Sequence, residues 1–270
     1  MGKLERDSEA GDGTGWLGRH PEQPLAHLPD SQTRGDTLFQ VVVVLVGAFV
    51  AQILLATVGL GLLAGFDVGE ESTPVLYYGT QSALGLLAFC LVGVGYLSVR
   101  EDTALVGVRR PTARDVGLML GGFLALAVTM VGVQSLLDLL GVEVADNVTV
   151  QRGEENPELF LVLVPIQFLL TGPGEELLFR GVLQGLLRRA YGVVPGIVAA
   201  STLFALFHVP SLVGDTLLPV LAVLFLSGAL LGALYEYSRT ILVPMVAHAL
   251  WNATVFGTQY AEAVGALVAA

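Results

Sequence analysis

Residues Phe39–Ala64, FQVVVVLVGAFVAQILLATVGLGLLA, run for 26 positions without a charged side chain. A helix rises 1.5 Å per residue and needs about 20 apolar residues to cross the hydrocarbon core of a bilayer. The stretches Val75–Val99 and Val116–Leu137 meet the same requirement. Composition agrees, with 54% of residues hydrophobic and 14% charged, where a soluble chain carries about a quarter charged. The fold class is therefore all-α, a polytopic bundle of transmembrane helices.

Hydropathy places about seven or eight spans, roughly Leu38–Gly65, Pro74–Val99, Asp115–Leu140, Glu158–Ala190, Val193–His208, Thr216–Tyr237 and Ile241–Gly257. The fourth is too long for one straight crossing and contains Gly172-Pro173-Gly174, where a break or kink is expected. Residues 1–36 are polar and rich in Gly, Pro and acids, and hold no apolar run that could serve as a signal peptide. They read as a disordered acidic tail, leaving residues 37–270 as one membrane-embedded helical domain. Pairs of small residues four apart, Gly117/Gly121, Gly181/Gly185 and Gly228/Gly232, are expected to let helices approach closely.

Twelve of the 13 Lys and Arg residues fall in the tail, in the second connection, at the end of the fourth span or between the last two spans. Arg152 alone lies on the opposite side, together with most of the loop carboxylates. Cytoplasmic loops are enriched in Lys and Arg, so the N-terminus is expected inside and the C-terminus outside a cytoplasmic membrane. The net charge of −11 and the lack of a long basic stretch exclude nucleic acid as a partner. A single cysteine, Cys90, excludes an intrachain disulfide framework.

Against this apolar background TGPGEELLFRG, Thr171–Gly181, is anomalous: two glutamates and an arginine follow LFLVLVPIQFLL, Leu159–Leu170. Intramembrane charges are costly and mark functional sites by default. Glu176 and Arg180 are four apart and in the favourable order, so they can neutralise each other. Glu175, about 100° round an α-helix from Glu176, has no partner in its own helix, and histidines on other helices are the candidates. Two histidines lie outside the tail, His208 and His248. His248 and Asn252 are four apart and share a helix face. A bland account would have the glutamates answer a helix dipole, His208 cap a helix end and His248 with Asn252 glue helices. It needs several independent coincidences.

Taken together, Glu175-Glu176-x-x-x-Arg180, Phe204-x-x-x-His208 and His248-x-x-x-Asn252, in this order on three apolar segments within residues 158–257, resemble the CAAX prenyl endopeptidase and bacteriocin-processing (CPBP, or Abi) family of intramembrane proteases. The resemblance implies hydrolysis of a peptide bond in a membrane-associated protein or peptide, lipidated or not, next to the bilayer. It implies that Glu175 activates water with His208, and that His248 and Asn252 stabilise the oxyanion. Burial in an apolar cavity suits Glu175 to act as general base. Two forms of the chemistry stay open. Glu175, His208 and His248 could hold a divalent metal such as zinc with water in the fourth position, or the glutamate could work without metal. A transporter passing ions or protons is a rival, although no internal repeat or matched pair of broken helices is present. A non-catalytic scaffold or immunity protein is another.

Overall fold

The computed structural model describes residues 25–28 and 30–265. It is a bundle of helices: α1 Ser31–Ala64, α2 Pro74–Val99, α3 Ala113–Leu139, α4 Val148–Glu155, α5 Glu158–Tyr191, α6 Val193–Phe207, α7 Leu217–Ser238 and α8 Leu242–Ala263. Two short strands, β1 Asp146–Asn147 and β2 Leu212–Val213, pair antiparallel and tie two loops together. Among the described residues, six helices are long and apolar enough to cross a membrane: α1, α2, α3, α5, α6 and α7. The seventh expected span corresponds to α8, which has 22 residues. Its His248, Asn252, Gln259 and Glu262 hold its hydropathy below that of the others.

The first helix starts earlier than the sequence suggests. Asp30 accepts the Thr33 amide at 2.9 Å and caps α1, so Ser31–Asp36 are helical rather than tail. The rest of the expected tail, apart from residues 25–28 and 30, lies outside the described residues.

Nor does α5 stop at Gly172-Pro173-Gly174. It continues for 34 residues, about 51 Å at the α-helical rise, and the proline is accommodated by a wide turn immediately before it. Residues Gln167–Thr171 are π-helical, with the Gly172 amide donating to the Gln167 carbonyl. A second π segment, Leu177–Leu183, follows the two glutamates. Such bulges insert a residue into the ladder and often coincide with functional sites. The two glycines serve packing. A Cβ on Gly172 would lie 2.7 Å from the Met245 carbonyl oxygen of α8, and one on Gly174 would lie 2.9 Å from the Leu86 carbonyl oxygen of α2. α5 thus passes between α2 and α8 with no room for side chains at those points.

Of the three small-residue pairs, two are packed. Gly181 and Gly185 press on Val106 and Leu105, which a short 3-10 turn, Thr103–Leu105, tucks beneath α5. Gly228 and Gly232 meet Ser201 and the Gln184 side chain. Gly117 and Gly121 face open space, whereas the neighbouring Gly122 packs on Leu234 and Ala247. In α3 the packed small residue lies one position beyond the expected pair.

Connections that carry most of the described basic residues gather at one end. Arg109 bonds Asp115 and the Ser238 carbonyl, the Gly107 amide donates to Tyr235 Oη at 2.8 Å, and the Ile241 amide donates to the Gly107 carbonyl. Arg189 hydrogen-bonds Asp102 there and holds that carboxyl below its usual range. At the opposite end Arg152 reaches Gln81 at 2.7 Å and lies over the Tyr78 ring.

Candidate active site

The motif side chains meet where α5, α6 and α8 pack around an aromatic wall. Phe179, Phe204 and Phe207 interlock edge to face, with Phe89 of α2 closing the cluster. Phe204 also forms the floor beneath Arg180, whose guanidinium carbon sits 4.5 Å from the ring centroid. A desolvated cation over an aromatic face gains electrostatic stabilisation, and Arg180 is only 1% exposed. Arg180 Nη1 lies 3.0 Å from Glu176 Oε1, one helical turn back, as the four-residue spacing anticipates. The contact is an ion pair rather than an aligned hydrogen bond, since Nη1 has no hydrogen-bond acceptor in line.

Glu176 has a second partner that the sequence did not reveal. His248 Nδ1 is 2.8 Å from Glu176 Oε1, while His248 Nε2 is 4.0 Å from Glu175 Oε2. One imidazole therefore addresses both glutamates, with the bond made to the residue already paired with arginine. A carboxylate only accepts, so Nδ1 carries the proton in this pair, and in the neutral ring Nε2 is an acceptor. Asn252 Nδ2 donates to that Nε2 at 3.1 Å. Asn252 also donates to Gln167 Oε1 at 3.1 Å, and Gln167 Nε2 donates to the Leu163 carbonyl at 3.1 Å. Gln167, in the π turn of α5, is the polar residue of the site that sequence reasoning missed. The available signal was its position as a lone amide in the apolar run before the glutamates.

Five of the six expected residues are thus joined by direct contacts: Glu175, Glu176, Arg180, His248 and Asn252. His208 stands beside them rather than in the network. Its ring centroid is 4.6 Å from that of Phe204, which in turn lies 6.2 Å from His248. His208 Nδ1 is 2.8 Å from the Phe204 carbonyl, which leaves Nε2 as the nitrogen free for chemistry. Among the described residues, no three His, Cys, Asp or Glu side chains are grouped as a metal ion would require. His248 has both nitrogens committed, one to Glu176 and one to Asn252. The arrangement does not fit a His₂Glu centre.

Glu175 and Glu176 differ in what surrounds them. Glu176 is fully buried and takes both cationic and imidazole contacts, which fixes it in place. Glu175 retains 8% exposure and makes only the longer contact to His248. The less constrained carboxylate is the one with room to meet a small molecule such as water.

Residues 157–254 match the family model described as Type II CAAX prenyl endopeptidase Rce1-like. This segment is similar to an Rce1-like domain. The match begins one residue before α5 and ends two beyond Asn252, so it takes in every residue of the network. No curated protein and no solved structure matches the chain. Six helices long and apolar enough to cross a membrane, three of them before the matched segment, mark the chain as an integral membrane protein.

Proposed function

We propose that this chain is an intramembrane endopeptidase that hydrolyses a peptide bond in a membrane-associated protein or peptide, with Glu175 as general base. The observation that carries this reading is the shared imidazole. His248 bonds Glu176 at 2.8 Å and stands 4.0 Å from Glu175, inside the segment that matches an endopeptidase family.

The chemistry follows from these positions. Glu175 accepts a proton from water as the water oxygen attacks the amide carbon. The carbonyl oxygen takes up negative charge, and an Asn252 N–H stabilises it, joined by His248 once its Nε2 has taken up the proton from Glu175. The proton then passes to the leaving nitrogen as the C–N bond breaks. His208, with Nε2 uncommitted, orients the water. Glu176 and Arg180 do not touch the reacting atoms in this scheme; Glu176 holds the imidazole by its other nitrogen, and Arg180 holds Glu176. The activity named for the matched family suggests a substrate ending in a prenylated CAAX sequence, and the lipid would keep that substrate at the bilayer surface.

The test is incubation of the purified, reconstituted protein with a farnesylated CAAX peptide, with the released tripeptide read by mass spectrometry. Release by the wild type and none by Glu175→Gln supports the assignment. Equal release by both removes Glu175 as the base.

A further inference from the structure

We propose that Gln167 is a positioning residue of this site, anchoring Asn252 so that one of its two N–H groups stays poised to serve the oxyanion. The inference rests on the hydrolytic reading above and adds a residue to it.

The argument is one of donor and acceptor bookkeeping along a single line of side chains. At one end the Leu163 carbonyl can only accept, so Gln167 must turn its amide nitrogen toward it, as observed at 3.1 Å. That fixes Gln167 Oε1 as the atom facing Asn252, which must then offer Nδ2, again at 3.1 Å. At the other end Glu176 accepts from His248 Nδ1, which makes Nε2 an acceptor that also calls for Asn252 Nδ2. The two ends agree on the orientation of the carboxamide between them. Gln167 is 3% exposed, so water does not compete for either of its bonds.

In this state both Asn252 N–H groups are engaged, one by Gln167 and one by His248. An oxyanion must draw one of them away. The bond to His248 is the one to yield, for two reasons. An oxyanion is a charged acceptor and bonds more strongly than a neutral ring nitrogen. In addition, release of Nε2 leaves it 4.0 Å from Glu175, placed to take up the proton that Glu175 has removed from water. The bond to Gln167 persists and keeps the carboxamide in its plane. Without it Asn252 loses its only anchor on α5, and the donor wanders while the substrate still binds. The π turn, Gln167–Thr171, is what brings this glutamine round to the same site as Glu175.

The experiment compares wild type, Gln167→Met, Asn252→Ala and the double variant on the farnesylated peptide. Gln167→Met should lower kcat about tenfold, the worth of roughly one neutral hydrogen bond, with KM no higher than in the wild type. In the Asn252→Ala background the same change should cost nothing further. A Gln167→Met enzyme with wild-type kcat, or a double variant that loses the product of both single effects, overturns the proposal. A second measurement does not depend on turnover. The chain has three asparagines, Asn147, Asn156 and Asn252, so an asparagine-labelled sample gives a simple carboxamide spectrum. Both Asn252 side-chain protons should exchange slowly in the wild type, and at least one should become fast in Gln167→Met. Fast exchange of both in the wild type refutes the anchoring even if the variant does not fold. Failure of the wild type to cleave the peptide would count against the protease reading and leave the exchange result to decide the role of Gln167.

Discussion

His248 of α8 bonds Glu176 of α5 through Nδ1 at 2.8 Å and stands 4.0 Å from Glu175 through Nε2. Two adjacent carboxylates are thereby given different work. The one held by Arg180 and the imidazole is a fixture, and the other is the proposed reagent.

Replacement of each glutamate should therefore have a distinct signature. Glu175→Gln keeps volume and hydrogen-bonding capacity, so the protein should accumulate and melt like the wild type while turnover falls by about 10²–10⁴-fold, as for loss of a general base. Glu176→Gln should lower the melting temperature as well, because it strips the charge that compensates a buried arginine. Thermal unfolding in detergent alongside peptide cleavage separates the two. Equal melting temperatures would contradict the division of labour.

Arg180→Ala leaves Glu176 buried and uncompensated, and also empties the face of Phe204. Breaking a truly buried pair from one side costs about 3–5 kcal/mol, enough to reduce the amount of protein in the membrane severely. The double change Glu176→Gln with Arg180→Gln should recover part of that amount. Immunoblots of membrane fractions report the outcome, and equally poor accumulation of single and double variants would exclude the pair as the cause.

Oxyanion donors have their own magnitude. His248→Ala and Asn252→Ala should each lower kcat by about 10²–10³-fold, with little change in abundance for Asn252→Ala, whose side chain is half-buried. Stopped or steady-state cleavage assays suffice, and a wild-type rate for Asn252→Ala would remove it from the mechanism.

Metal dependence follows from the way the side chains are committed. With His248 bonded at both nitrogens and no three ligands grouped among the described residues, turnover is expected to survive exhaustive dialysis against a chelator. Loss of activity that zinc restores would show that His208, Glu175 and His248 converge when the metal binds.

The arrangement of spans can be read from one fusion series. A reporter after Arg110 should be inside, and one after Ala270 should be outside if α8 crosses the bilayer. The second reporter on the inside would mean that the six more apolar helices are the only crossings.

Much of this was legible in the sequence, because long uncharged runs have few other interpretations and because the four-residue spacing of Glu176 with Arg180 and of His248 with Asn252 survives in the folded chain. What escaped depended on backbone geometry that residue type alone does not set. Gly172-Pro173-Gly174 has the composition of a helix break, yet close packing against Leu86 and Met245 keeps the segment helical. Glu175 and Glu176 share an α-helical turn, and a histidine does stand near Glu175, but residue type could not say that His248 would make its short contact with Glu176 instead. Gly117 and Gly121 show the same limit from the other side: spacing identified a small-residue stripe, but only the neighbours could say that Gly122 is the residue in contact.

The wide turn at Gln167–Thr171 carries one residue more than an α-helical turn would need. That surplus sets the phase between the two halves of α5, the half that bears Gln167 and the half that bears the glutamates. Excision of a single residue there would leave hydropathy and helix content almost untouched, yet it would turn everything downstream by about 100° relative to everything upstream. Glu175 would then face a different neighbour. Any chimera that joins this α5 to another chain has to conserve the count of residues across the bulge, not merely their apolar character.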